Sequence, residues 1–197
     1  MTLTTLVSIA IVALLVFWAV GAYNRLVRLK NIIANAFGQI DVQLKRRYDL
    51  IPNLVDAARK YLQHERDTLE AVTLARNQAK SASDAVRSKP ADAAAVMALA
   101  TAEQALDGSL GRFFALAEAY PELKADETIR ELSEELTSTE NKVAFSRQAY
   151  NDAVLDYNNA QGQFPAMLIA SVFSFAPSAM LRATQSDAER DTVRIQL

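Results

Sequence analysis

The sequence predicts an all-α protein in which an N-terminal transmembrane helix continues into an elongated antiparallel four-helix bundle. No charged side chain occurs from Met1 to Asn24. The rest of the chain repeats apolar residues at spacings of three and four, which is the period of an amphipathic helix. Only five glycines and five prolines occur among 197 residues. Such a low content of helix-breaking residues favours long, uninterrupted helices over a sheet.

Residues 1–24 are predicted to form the membrane anchor. The run from Leu3 to Tyr23 is almost wholly apolar, and as a helix it would span about 31 Å, enough to cross the hydrocarbon core of a bilayer. Trp18 and Tyr23 lie toward its C-terminal end, where aromatic rings favour the membrane interface. A cleaved signal peptide would have a basic N-terminal region and a shorter apolar run, and a buried soluble helix would show a polar stripe. A retained anchor fits better than either.

The orientation of the anchor follows from three basic residues. Arg25, Arg28 and Lys30 come directly after the apolar run. Because cytoplasmic flanks of membrane spans carry an excess of Lys and Arg, this placement predicts a short N-terminus outside and a bundle in the cytoplasm.

Residues 25–162 are predicted to form the bundle. Its first helix continues from the anchor and carries one apolar stripe, made of Leu26, Leu29, Ile33, Ala36, Phe37, Ile40 and Leu44. A break is expected near Tyr48–Asp49, with Asp49 as the N-cap of the second helix and Pro52 in its first turn. The second helix should run from about Leu50 to Ser81.

A polar stretch, residues 81–90, then predicts a loop that ends in Pro90. The third helix should cover about Ala91 to Tyr120, where Pro121 stops it. The fourth has a strict seven-residue series of Ile129, Leu136, Val143, Tyr150 and Tyr157, with companions Leu132, Thr139, Ser146 and Ala153. Sustained 3.5-residue periodicity is typical of coiled-coil-like packing.

Four charged residues interrupt or border these stripes. Glu65 and Glu103 occupy apparent core positions, while Arg76 and Arg147 lie on or beside the stripes. A buried charge must be paired, because an unpaired one costs several kcal/mol. One interpretation is an ion-pair layer between helices that fixes their register, with Gln43 or Asn141 adding hydrogen bonds. The alternative is that the stripes drift and these side chains reach water.

Residues 163–181 form a separate apolar segment. From Phe164 to Leu181 the chain carries no charge. The segment could fold back onto the bundle, contact lipid or a partner, or cross the membrane again, although Pro165 and Pro177 disfavour a second span. The candidates for lipid or partner contact are Phe164, Met167, Phe173 and Phe175. The mixed-charge residues 182–197 are predicted to be disordered.

The residue inventory argues against several kinds of chemistry. The chain has no cysteine and a single histidine, His64, which cannot supply a di-iron or a multi-histidine zinc site. No glycine-rich phosphate loop is present, and a net charge of −2 does not favour nucleic acid. The acidic run Glu131, Glu134 and Glu135 is interpreted as a solvated helix face. The sequence therefore predicts no metal, no other cofactor, no nucleic-acid partner and no enzymatic activity.

Four stretches resemble one protein family. They are NAFGQIDVQLKRRYDLIPNLV (Asn35–Val55), AYPELKA (Ala119–Ala125), TENKVAFSRQAYNDAVLDYN (Thr139–Asn158) and FPAMLIASVFSF (Phe164–Phe175). The chain is thereby similar to the LemA family of bacterial membrane proteins. Its most specific motif residues here are Arg46, Arg47, Tyr48, Asp49, Pro52, Asn53, Arg147, Tyr150, Asn151, Tyr157 and Asn158. After Phe175 the tail departs from the expected pattern.

The resemblance implies a bacterial inner-membrane protein with a single anchor and a bundle of long antiparallel helices. It implies no enzymatic activity. We expect a non-enzymatic scaffold or adaptor whose partner is a second copy or another membrane protein. One alternative is a membrane-remodelling or envelope-stress factor that binds lipid through the apolar C-terminal segment. An enzyme of unrecognised type is the other.

Overall fold

A computed structural model of the chain describes residues 2–181. Within that range every regular element is a helix, which confirms the predicted fold class. The helices are α1 (Leu3–Arg59), α2 (Arg66–Ser88), α3 (Ala93–Ala117), α4 (Pro121–Ala125), α5 (Glu127–Gly162) and α6 (Ala166–Val172). The four long ones, α1, α2, α3 and α5, form the antiparallel bundle, in which α1 packs closely against α5 and α2, and α2 packs against α3. The predicted disorder of residues 182–197 lies outside the described residues.

Helix α1 joins the membrane span to the bundle without a break. It has 57 residues, which corresponds to a length of about 86 Å. Its N-terminal stretch is long and apolar enough to cross a membrane, and none of that stretch is buried against other parts of the protein. The buried stripe begins at Leu26, directly after the span. The prediction that the anchor continues into the first bundle helix is therefore confirmed.

The predicted break at Tyr48–Asp49 is wrong, because α1 continues to Arg59 with Pro52 inside it. A proline lacks the N–H that would bond to the carbonyl four residues earlier, which here belongs to Tyr48. The Nε–H of Arg76 on α2 donates to that carbonyl oxygen at 2.9 Å. A contact between helices thus replaces the missing bond within the helix. Asp49 is exposed in the interior of α1 rather than serving as an N-cap.

The predicted loop at 81–90 is also wrong, because α2 continues to Ser88. Two side chains in this stretch, Ser83 and Arg87, hydrogen-bond to Asp41 on α1. Asp84 pairs with Lys80 one turn before it and with Arg87 one turn after it. These contacts hold the small polar residues in a helix, and the turn to α3 is only a few residues long. The next helix begins after Asp92, whose carboxylate accepts from the amides of Ala94 and Ala95.

Asp126 holds the start of α5 against the end of α1. Its carboxylate accepts from the amide of Ile129, as expected of a helix N-cap. It also accepts from Lys60 Nζ at 3.0 Å and from the Tyr61 hydroxyl at 2.8 Å. The hydrogen bond from Lys60, then those from Tyr61 and Ile129, lower the pKa of Asp126 to about 2.

The predicted apolar stripes form the core. All seven stripe residues of the first helix and all five of the heptad series on α5 are buried or half-buried. Tyr150, Tyr157, Phe37 and Phe113 are the largest fully buried side chains. The rings of Phe37 and Tyr150 meet edge to face, with centroids 6.2 Å apart. Such aromatic contacts add to the stabilisation from apolar burial.

The apolar tail folds back toward the membrane-proximal end of the bundle. Helix α6 packs against α1 and α5, and its Ala170 is buried with Leu26 and Ala160. With seven residues, α6 is far too short for a second span. Beyond it, Ser178 and Leu181 are buried against the bundle. Part of the segment therefore folds back onto the bundle, which is the first of the predicted alternatives.

Candidate functional site

A buried ionic cluster lies at mid-bundle, where α1 faces α3. Arg47 is only 4% exposed and Glu103 only 6%, and Arg47 Nη1 donates to Glu103 Oε2 at 2.9 Å. The second carboxylate oxygen of Glu103 accepts from the Tyr48 hydroxyl. The other Arg47 amine nitrogen bonds to the half-exposed Asp107. Two adjacent motif residues on α1 thus meet one buried carboxylate.

The cluster shifts the pKa values of its members. Burial raises the pKa of Glu103, and the positive charge of Arg47 and the Tyr48 hydrogen bond oppose that rise. Burial, followed by the negative charge of Glu103, raises the pKa of the Tyr48 hydroxyl. For Arg47, burial would lower the pKa, but the charges of Asp107 and Glu103 outweigh it and raise the pKa overall.

The expected ion-pair layer exists, but with partners other than those proposed. Glu103 is buried and paired as predicted. Its partner is Arg47, and Arg147 contributes only a nearby positive charge. Arg76 caps the Tyr48 carbonyl. Glu65 is not in the core: it precedes α2, where its carboxylate accepts from the Tyr120 hydroxyl at 3.1 Å.

Gln43 and Asn141 do not join the layer, since they line a surface groove between α1 and α5. Among residues 2–181, no buried side-chain nitrogen or oxygen lacks a hydrogen-bond partner. The charged cluster is therefore internally satisfied, and its arrangement fits a role in fixing helix register.

The remaining motif residues of α1 lie at the surface. Arg46 pairs with Glu135 on α5, with its Nε 2.8 Å from Oε1. Pro52 and Asn53 are exposed, as are the acidic residues Glu131 and Glu134. His64 is exposed in the turn between α1 and α2. In the described part of the chain, no three His, Asp or Glu side chains converge as a metal site would require.

The Tyr-Asn pairs of α5 hold an extended segment, residues 175–181, which we call the strap. Asn158 donates to the carbonyl of Ser178 at 2.9 Å and accepts from its amide at 3.0 Å. Asn151 makes the same two bonds with Leu181, at 3.0 and 2.9 Å. The Tyr157 and Tyr150 hydroxyls reach the carbonyls of the strap residues Ala176 and Ala179 at 3.0 and 3.2 Å. Four predicted motif residues thus converge on one backbone.

Burial of these tyrosines is nearly complete. It raises the pKa of Tyr150 to about 12 and also raises the pKa of Tyr157. The sequence did not predict the strap. The available signal was the Tyr-Asn dipeptide repeated after seven residues, because each asparagine follows a core tyrosine and so lies at the edge of the packed face.

The apolar residues at the membrane-proximal end form a second candidate surface. We call residues 164–173 the foot. Within it Phe164, Met167, Leu168, Val172 and Phe173 are exposed large apolar side chains. The Phe173 ring lies 4.8 Å from that of Tyr23 at the end of the span. Phe175 also contacts Tyr23, with ring centroids 5.6 Å apart, but it is half-buried.

Comparisons with known proteins agree with the family resemblance. A sequence model of the LemA family matches residues 36–197. Protein LemA of Metamycoplasma hominis is 25% identical over 169 residues, which cover 86% of this chain and 73% of that protein. Because the family match reaches residue 197, the expectation that the tail departs from the family after Phe175 is wrong.

Removing Arg47 alone should destabilise the bundle more than removing both charges of the pair. In R47M, Glu103 is left buried without its cation, which costs about 3–5 kcal/mol in the free energy of unfolding. R47M/E103Q should recover a large part of this, since glutamine still accepts from Tyr48 and carries no charge. Chemical unfolding of the full chain in detergent micelles, followed by circular dichroism, measures both.

The matched control is R46M, which breaks the exposed pair with Glu135 and should cost less than about 1 kcal/mol. The R47M deficit should also shrink as the pH is lowered. With Arg47 gone, the folded-state pKa of Glu103 stays above its unfolded value, so stability is lost as pH rises and regained as the carboxyl is protonated. Equal costs for R46M and R47M would contradict the buried pair.

Proposed function

The chain belongs to the LemA family, and on that premise we propose that it is a non-enzymatic scaffold or adaptor held at the bacterial inner membrane. The protein is helical and membrane-associated, with one candidate span in its described part, and its family is not known as an enzyme family. The partner we propose is a second copy or another membrane protein.

The continuity of α1 is the observation that carries this proposal. A domain on a flexible linker samples many orientations, whereas a bundle built on the membrane helix itself keeps one. Since α1 runs unbroken from the span to Arg59, each bundle face stands at a defined height above the lipid. Partners in the same membrane would meet these faces already oriented, which lowers the entropic cost of binding.

A groove between α1 and α5 offers a surface for such a partner. It has a volume of about 620 Å³ and is lined by Gln43, Glu134, Asn141, Lys142 and Phe145, among others. Phe145 is 78% exposed. Aromatic side chains surrounded by a polar rim are enriched in protein–protein interfaces.

The proposed orientation places the bundle in the cytoplasm. Arg25, Arg28 and Lys30 are all exposed on α1 just beyond the span. Their positive charges favour the cytoplasmic side.

A second candidate function is supported by the foot. Since Phe173 contacts Tyr23 at the end of the span, the exposed apolar residues of the foot stand where the lipid interface begins. A short apolar helix at that level would insert its exposed face among the headgroups and acyl chains. This contact fits a membrane-remodelling or envelope-stress role, in which the bundle responds to the lipid around it.

A photo-reactive phenylalanine analogue at position 145 should crosslink the full chain to one discrete partner in intact membranes. The same analogue at Thr101, exposed on α3, is the matched control and should give much less product. Mass spectrometry of the adduct identifies the partner, and protease accessibility on either side of the membrane reports the orientation. Uncrosslinked monomer at both positions would contradict docking at this groove, and the absence of any oligomer or partner in intact membranes would contradict the scaffold.

A tryptophan in the foot should be quenched by lipids brominated near the headgroup. The chain has one native tryptophan, so W18F/F173W carries a single probe. In the control W18F/F145W the probe lies 17 residues before the end of α5, about 25 Å from the foot. We expect strong quenching at position 173 and little at 145 in reconstituted vesicles. Equal quenching would argue against lipid contact by the foot.

A further inference from the structure

The α5 face that holds the strap binds its peptide backbone through four side chains. Asn151 and Asn158 each pair with both the N–H and the C=O of one strap residue, as a neighbouring β-strand would. The tyrosine hydroxyls also donate to backbone carbonyls. Main-chain bonds give affinity for an extended chain, and the buried strap side chains Ser178 and Leu181 restrict which sequence fits.

The spacing of the two Tyr-Asn pairs matches the repeat of an extended chain. Seven residues of helix advance about 10.5 Å, and three residues of an extended strand advance about 10 Å. The asparagines are seven residues apart, and the strap residues they bind, Ser178 and Leu181, are three apart. The tyrosines repeat this relation with Ala176 and Ala179. The face made by these two Tyr-Asn pairs therefore fits an extended, antiparallel segment. We call it the α5 groove.

The groove must be filled by a chain of this kind. Tyr150 and Tyr157 are fully buried, and their hydroxyls use strap carbonyls as acceptors. The Tyr150 hydroxyl also reaches the Pro90 carbonyl at 3.3 Å. Without the strap, the Tyr157 hydroxyl and the side-chain amides of Asn151 and Asn158 would lose these partners. An extended segment of another chain is the replacement that restores the same bonds.

The strap is joined to α5 by a loosely held connection. In residues 163–173 only Ala170 is buried, so only one side chain of the connection leaves the core when the connection moves. Ser174, where the chain turns into the strap, has a φ of 55°. A non-glycine residue rarely adopts this left-handed conformation, and leaving it relieves strain. Strained hinges of this type favour exchange of the following segment between copies.

We propose that the strap of a second copy of this chain fills the α5 groove in trans. Exchange keeps every bond between groove and strap, because the incoming segment is identical. The membrane span also holds neighbouring copies at the same height and in the same orientation, which raises the local concentration of straps at the level of the groove. This inference names the partner of the proposed scaffold and rests on that proposal only for its biological role.

Crosslinking between two differently tagged full-length chains tests the exchange. The natural chain has no cysteine, so introduced thiols are unique. The Ser178 hydroxyl donates to the Ala91 carbonyl at 3.0 Å, and the two positions therefore touch when a strap is seated. One copy carries A91C and the other S178C, and both are co-expressed and treated in membranes with a short bis-thiol reagent. We expect a covalent dimer that contains both tags.

The controls distinguish a strap that is bound in the other copy from a chance collision of two chains. M97C, exposed on α3, replaces A91C and should give far less dimer with S178C. The single chain A91C/S178C should form an internal link, which shows that the pair is reactive. N151A or N158A in both copies should reduce the dimer several-fold, whereas N159A, an exposed asparagine beside the groove, should leave it unchanged. Circular dichroism checks that each variant is folded.

Dimer formation no higher than with M97C, together with an efficient internal link in A91C/S178C, would overturn the exchange. A dimer that persists at full yield in both N151A and N158A would overturn the role of the α5 groove. A Phe145-site adduct with a different protein and no mixed-tag dimer would reject the exchange while leaving the scaffold proposal in place. A mixed-tag dimer without any adduct at position 145 would support the exchange and count against that docking groove.

Discussion

Helix α1 has to satisfy two solvents with one unbroken backbone, and the rest of the structure depends on that constraint. In its first part apolar side chains point outward on all sides, as lipid requires. From Leu26 onward a single stripe turns inward and the exposed positions are mostly polar or charged. Because both parts share one helix, the rotation and height of the bundle are set by the span. Helices α5 and α2 pack directly against α1, so the span also sets their orientation relative to the membrane.

Keeping α1 unbroken past Pro52 requires help from a neighbouring helix. A proline inside a helix costs about 3 kcal/mol or more, and part of that cost is the unbonded carbonyl of Tyr48. Arg76 supplies the missing donor. The Tyr48 side chain meanwhile binds Glu103 together with Arg47. Tyr48 therefore lies between two contacts, one from α2 to its backbone and one from its side chain to α3. The RRYDLIPNLV motif thereby joins three helices.

The apolar period alone predicts the core, whereas the boundaries depend on contacts that no local pattern contains. The heptad series of α5 was readable because each member is buried against the same face. The prediction of a break at Tyr48–Asp49 is wrong because it rests on Pro52 alone. Arg76, 24 residues further on, donates to the carbonyl that the proline leaves unbonded. The prediction of a loop at 81–90 is wrong because Ser83 and Arg87 hydrogen-bond to Asp41 on another helix. Glu103 lies in the core as predicted, but it pairs with Arg47 rather than with Arg76 or Arg147. The strap was missed because side chains of α5 bind its backbone, which is identical at almost every residue.

The distance between two spin labels on α1 tests the central claim most directly. N24C at the end of the span and D56C beyond Pro52 place unique thiols at exposed positions. In an unbroken helix these positions are 32 residues apart, which corresponds to about 48 Å. Double electron–electron resonance on the full chain in lipid nanodiscs should show one narrow distance near this value. A reversal at Tyr48–Asp49 would shorten it to about 25 Å. A flexible joint between the two labelled positions would give a broad distribution, and either result would contradict the account.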